Sequence, residues 1–165
     1  MNKNKELLLK YLCMSLPYGV KILHTGWDCD SGTDFDTVET LIGIDDKFIY
    51  TVWDKTGDRE KHCLSVSNWK PYLRPMSSMT EEEAKEIAIL HDIKDILSVK
   101  VTSDYIDIIV DDGFSSTETI TLWYDELISS IECIYWLLEH HFDFMGLIPQ
   151  GLAIEVTENN NPYKI

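Results

Sequence analysis

Asp28, Asp30, Asp34, Asp36 and Glu39 fall at positions one, three, seven, nine and twelve of the stretch DCDSGTDFDTVE, nearly the oxygen-ligand spacing of an EF-hand calcium loop. The pattern fails in two places. Position five is Gly32, and position six, where the sharp turn demands glycine, is Thr33. Pro17 and Gly19 upstream and the β-branched run TVETLIGI downstream also leave no entering or exiting helix. The stretch therefore reads as a solvated β-turn loop, with an irregular divalent-cation site on Asp28, Asp30, Asp34 and Asp36 as the alternative. Glu39, on a strand, would alternate out of reach of that loop. Trp27 and Phe35 flank the acids and would make the loop a contact surface instead.

His140, His141 and Asp143 place two imidazoles and a carboxylate within four residues. Neighbours on a regular helix point about 100° apart, so the two histidines cannot chelate one ion from a helix. A helix C-terminus is the simpler role, because the dipole there favours histidine and Gly146 lets the chain turn away. A metal site recruiting His62 and Cys63, or His24, is the alternative.

Nucleophilic chemistry has little support. The chain holds no G-x-S-x-G and no phosphate-cradling glycine loop. Cys63 adjoins His62, but strand neighbours face opposite sides, which argues against a working pair. No catalytic residue and no cofactor is implied. The segment NWKPYLRP differs in kind: Trp69, Lys70, Tyr72 and Arg74 concentrate residue types favoured in binding hot spots within a proline-restricted strap. They form a candidate partner-binding surface, with core cover between a meander and the following helix as the alternative.

These residues need a scaffold, and 165 residues with 44% apolar content suffice for one packed domain. No apolar run reaches the roughly 18 residues that cross a bilayer, and the N-terminus lacks a cleavage signal, so a cytoplasmic chain without membrane contact is expected. Cys13, Cys29, Cys63 and Cys133 are scattered without a C-x-x-C pair, consistent with free thiols in a reducing compartment. The formal net charge of −15 would repel phosphate backbones and excludes direct nucleic-acid binding. Residues 1–75 carry net −1 and residues 76–165 net −14, so the second half supplies the negative field.

Helix formers over 3–16 end at Pro17, predicting a first helix. Runs 19–24, 37–44, 47–53 and 61–66, rich in β-branched and aromatic residues, predict an antiparallel meander. Two prolines in 68–78 predict an extended strap that cannot be a central strand. Thr80 ahead of Glu81, Glu82 and Glu83 is a capping-box start for a second helix. Residues 98–102, 105–110 and 118–123 predict a second hairpin, and Asp125 caps a last helix to about His141 with Ile128, Ile131, Ile134, Tyr135 and Leu138 as its buried stripe. The expected fold is α+β: one domain over 1–157 and a loose tail over 158–165.

At WKPYLRPMSSMTEEE (69–83) and HHFDFMGLIPQGLAIE (140–155) the chain resembles a family of small uncharacterised proteins of gut Bacteroidales and their bacteriophages or prophages. Those proteins share K-P-Y-L-R-P-x-S-S-M-T-E-E-E and H-F-D-[YF]-x-G-L-I-x-x-G-L-A segments. The resemblance implies a bacterial or mobile-element setting and brings no activity, cofactor or site residue. The resulting expectation is a non-enzymatic protein acting through contacts with an unidentified protein partner, at the strap 69–74 or the tail 142–152. Charge mimicry of nucleic acid against a host factor is one form of it, and a divalent-metal or small-molecule site is the alternative.

Overall fold

A computed structural model describes residues 3–28, 32–45, 47–53, 55–63, 69–114 and 116–164, without the side chains of Trp27, Asp28 and Cys63. The fold is α+β, as its composition of strands and short helices leads one to expect. Where the sequence suggests one domain, the chain forms two compact units: residues 1–73 with 145–165, and residues 74–144. The boundary after Leu73 falls beside the shift in charge between residues 1–75 and 76–165, whereas the return of residues 145–165 to the first unit has no such mark.

The first unit holds α1 (Lys3–Ser15), β1 (Lys21–Asp28), β2 (Thr33–Ile44), β3 (Phe48–Trp53), β4 (Arg59–Cys63) and β5 (Trp69–Leu73). A two-residue strand from the C-terminal segment, Ile154–Glu155, completes it. We call that strand β9, after three strands of the second unit. Sheet order is β4-β3-β2-β1-β5-β9, antiparallel except for the parallel β5 and β9 pair. The predicted strand 61–66 is seen as Arg59–Cys63, residues 64–66 lying outside the described residues.

The strap is a correction to the expectation. Pro71 sits inside β5, opposite Ile22, with strands on both sides. A proline is tolerated there because β9 pairs only with Tyr72 and Leu73, so the missing amide falls just outside that short ladder. The final residues are also held. The Tyr163 hydroxyl donates to the Tyr72 carbonyl at 2.9 Å and accepts from the Lys21 amide at 3.1 Å, so the phenol anchors the segment expected to be loose.

The second unit holds α2 (Glu81–Leu90), β6 (Ile96–Val101), β7 (Tyr105–Asp111), β8 (Thr117–Trp123), α3 (Tyr124–Leu127) and α4 (Ile131–Glu139). Its sheet runs β6-β7-β8, entirely antiparallel. Ala84, Ile87 and Ala88 of α2 pack with Val99, Ile106, Ile108 and Val110 of the sheet and with Leu137 and Phe142. The capping box forms as predicted: Thr80 Oγ1 accepts from the Glu83 amide, and the Glu83 carboxylate accepts from the Thr80 amide. The predicted last helix is broken at 128–130, where Ser130 starts α4 afresh by accepting from the Cys133 amide. The buried stripe also differs from the expected one. Cys133, Leu137 and Leu138 are buried, whereas Ile128, Ile131 and Tyr135 are exposed.

Glu83 also takes a fork from Arg74, with Nη1 to Oε1 at 2.6 Å and Nη2 to Oε2 at 2.8 Å. Burial alone would raise its pKa, but the hydrogen bonds from Arg74 and the Thr80 amide hold it at about 2, below the ordinary 4.5. A depressed folded value means that the pair stabilises fully above pH 4.5 and progressively less as pH falls towards 2. Arg74→Met should therefore cost about 2 kcal/mol in urea unfolding at pH 7. The deficit relative to the unmodified chain should shrink towards zero near pH 2.

Candidate metal centre

Directly opposed residues of antiparallel strands point to one side, and residues two apart along a strand share it. His24 opposes Thr37 and Trp69, Ile22 opposes Glu39, Leu41 opposes Thr51, and Ile49 opposes His62. His62, Thr51, Glu39, His24 and Trp69 therefore lie on one face, one from each of five adjacent strands. This is the buried face, since Ile22, Leu41 and Ile49 on it are at most 1% exposed. A carboxylate there must be met by donors or a cation, because an isolated buried charge is very costly.

Glu39 is only 4% exposed and is well supplied. Oε1 accepts from the Thr37 hydroxyl at 2.7 Å and faces His24 Nδ1 at 3.1 Å. Oε2 accepts from the Thr51 hydroxyl and lies 3.3 Å from His62 Nε2, close enough for ion pairing but off the line of a hydrogen bond. Burial pushes the Glu39 pKa up, yet the contacts with His24, Thr51 and Thr37 and the nearby His62 hold it at about 2. The His62 pKa is lowered, first by burial and then by the charge of His24, against the pull of Glu39. At neutral pH the cluster thus offers an ionised carboxylate and a neutral His62.

Aromatic rings wall the cluster. Trp69 stacks on His24 with centroids 3.9 Å apart and planes at 14°, and it lies 5.0 Å from the His62 ring. Phe35 meets His24 edge-on at 5.2 Å. Its ring lies over Gly26, directly across the β1 and β2 pair, so closely that a Cβ on Gly26 would come within 2.5 Å of Cζ. Glycine at 26 is what lets the Phe35 ring come this close to β1 beside His24.

Among the described residues, His24, Glu39 and His62 are the one group of three potential ligands whose atoms lie within 4.8 Å of one another. Ligand atoms around a tetrahedral ion with bonds of about 2.0–2.1 Å lie roughly 3.3 Å apart. His24 Nδ1 lies 3.1 Å from Oε1 and His62 Nε2 3.3 Å from Oε2, so each imidazole faces a different oxygen of the one carboxylate at about that spacing. The two threonine hydroxyls each donate to one oxygen of the carboxylate, the role hydrogen-bonding partners play in orienting a metal ligand.

The residues singled out from the sequence are placed otherwise. Asp34 and Asp36 are exposed and line a shallow depression with Thr25, Gly26 and Phe35. Asp30 and the Asp28 side chain lie outside the described residues. Glu39 is on a strand, turned from the acidic loop towards the histidines. His140 Nδ1 donates to the Trp136 carbonyl at 2.9 Å and its ring stacks on Trp136. His141 takes the left-handed conformation at φ 58° that closes α4, a turn the sequence had assigned to Gly146. In the strap, Trp69 and Tyr72 are buried at 1% and 8%, Lys70 is exposed, and Arg74 is engaged by Glu83. Trp69 is thus a wall of the polar cluster and offers no open contact surface.

The signal for the centre was present in the strands. Glu39 and His24 each occupy the inward phase of an apolar strand pattern, in step with Leu41 and with Ile22. No known protein family, characterised protein or solved structure matches the chain.

Thr51→Val keeps the shape of residue 51 and removes a donor from a buried charge, so it should destabilise the chain by about 2 kcal/mol in urea unfolding. Gly26→Ala should displace the Phe35 ring from His24, read by NMR as a change in the His24 imidazole proton shifts that leaves the Trp69 contribution in place.

Proposed function

We propose that residues 1–73 and 145–165 form a divalent-metal-binding unit, with His24, Glu39 and His62 as ligands. The observation that carries this reading is the convergence of two imidazoles and a carboxylate within 4.8 Å on one buried sheet face. Two histidines and a glutamate are a donor set used by zinc, and imidazole also suits copper, nickel and iron. Thr37 and Thr51 support the same reading, since each donates to one oxygen of the carboxylate and so helps to fix its orientation. The metal would satisfy the buried charge that the imidazoles now share.

The test is a Zn(II) titration of chelator-treated protein, with a chromophoric competitor reporting the free ion. The expected result is one ion per chain, and His24→Gln or His62→Gln should weaken binding at least tenfold. At a hundred times the dissociation constant, Zn(II) should raise the unfolding free energy by about 2.7 kcal/mol. No saturable binding, or unaltered binding in a His24→Gln/His62→Gln double variant, overturns the proposal.

A second reading is favoured by charge. Residues 74–144 carry sixteen Asp and Glu against four Lys and Arg, net −12. Such a field suits the basic groove of a DNA-binding protein, and the resemblance to phage and Bacteroidales proteins supports a bacterial setting for that contact. Capture of a purified DNA-binding protein that weakens steeply between low and high salt and is displaced by duplex DNA is expected. Salt-independent capture would retire the reading.

A further inference from the structure

Trp69 is 1% exposed, yet its indole N–H meets no acceptor among the described residues. An unmet buried donor is destabilising, and a phenylalanine would keep the stack on His24 without it. The indole borders both histidines of the centre, 3.9 Å from the His24 ring and 5.0 Å from the His62 ring, with the one donor in its ring system unused. The other hydrogen-bonding side chains around Glu39, Thr37 and Thr51, already donate to its carboxylate.

Three convergent ligands leave a tetrahedral ion one position short, and structural sites close that position with a fourth protein ligand whereas reactive sites leave it to water or substrate. Among the described side chains no fourth ligand joins His24, Glu39 and His62. Two imidazoles, which are uncharged whenever they hold a metal, and one carboxylate leave a divalent ion with a net positive charge, which favours an anionic fourth ligand. Trp69 stacks on His24 and Phe35 meets it edge-on, so both rings border that imidazole.

We infer that the His24, Glu39 and His62 centre keeps its fourth position for a small oxygen-donor anion, a carboxylate or hydroxide, and that the Trp69 N–H hydrogen-bonds that ligand. This rests on the metal reading above. It makes the centre a ligand-binding site and gives the buried indole donor its acceptor.

Acetate is the probe, titrated into the Co(II)-loaded chain and followed by the visible d–d bands. The unmodified chain should show saturable band shifts, and Trp69→Phe should bind Co(II) with equal stoichiometry while needing about five- to tenfold more acetate. Bands that ignore acetate, or equal acetate affinity in both chains, overturn the inference while leaving the metal reading intact. Absence of Co(II) bands in the unmodified chain removes the metal reading and this inference with it. A measurement that needs no substitution guards against a misfolded variant: in the Zn(II)-loaded chain, one of the five indole N–H resonances should move downfield with acetate and stay still in the metal-free chain. No indole resonance responding to acetate overturns the inference.

Discussion

A carboxylate buried in the middle of a β-sheet sets the terms for the first unit. Glu39 occupies a position where β2 would ordinarily place an aliphatic side chain, next in phase to Leu41. Taking that charge out of water is tolerable only with several donors at close range, and they arrive from neighbouring strands in register. Thr37 comes from the same strand, His24 from β1, Thr51 from β3, and His62 faces the second oxygen from β4. A slip of any strand by one residue would turn its donor to the opposite face and strand the charge, so the polar cluster specifies the register that ordinary apolar packing would only favour.

The same constraint shapes what surrounds the cluster. Trp69 must lie beside His24 to cover it, which draws a proline-containing segment into the sheet as β5. Phe35 must cover the other side, which requires glycine at 26. The cluster is thus held by contacts that are themselves strand pairings, the rigid support a ligand centre needs. The second unit follows a plainer logic, with an apolar core and a capped, ion-paired helix start that contains no comparable buried cluster among the described residues.

Local signals in the sequence were legible to the extent that local physics decides them. The β-branched runs became strands, and the Thr80 capping box became the start of α2. Nonlocal features were not. Ile128, Ile131 and Tyr135 fit a helical stripe, yet they are exposed, and α4 buries Cys133, Leu137 and Leu138 instead. Pro71 argued against a paired strand, and only the brevity of β9 permits one. The charge shift near residue 75 falls beside the boundary between the units, but nothing local announces that residues 145–165 return to strands far upstream. His24, Glu39 and His62 are separated by fifteen and by twenty-three residues, so no motif spacing joins them. The denser acids of Asp28 to Asp36 drew attention because adjacency in sequence is visible and adjacency across strands is not.

On the proposed reading, His24, Glu39 and His62 together hold one divalent ion. Anomalous diffraction at the zinc edge, from crystals grown with Zn(II), tests it most directly. The predicted result is a single strong peak about 2.0–2.1 Å from a nitrogen of His24, a nitrogen of His62 and an oxygen of Glu39. A peak instead beside Asp34 and Asp36, or a fully zinc-free cluster with Glu39 still bonded to His24 and Thr51, would contradict it.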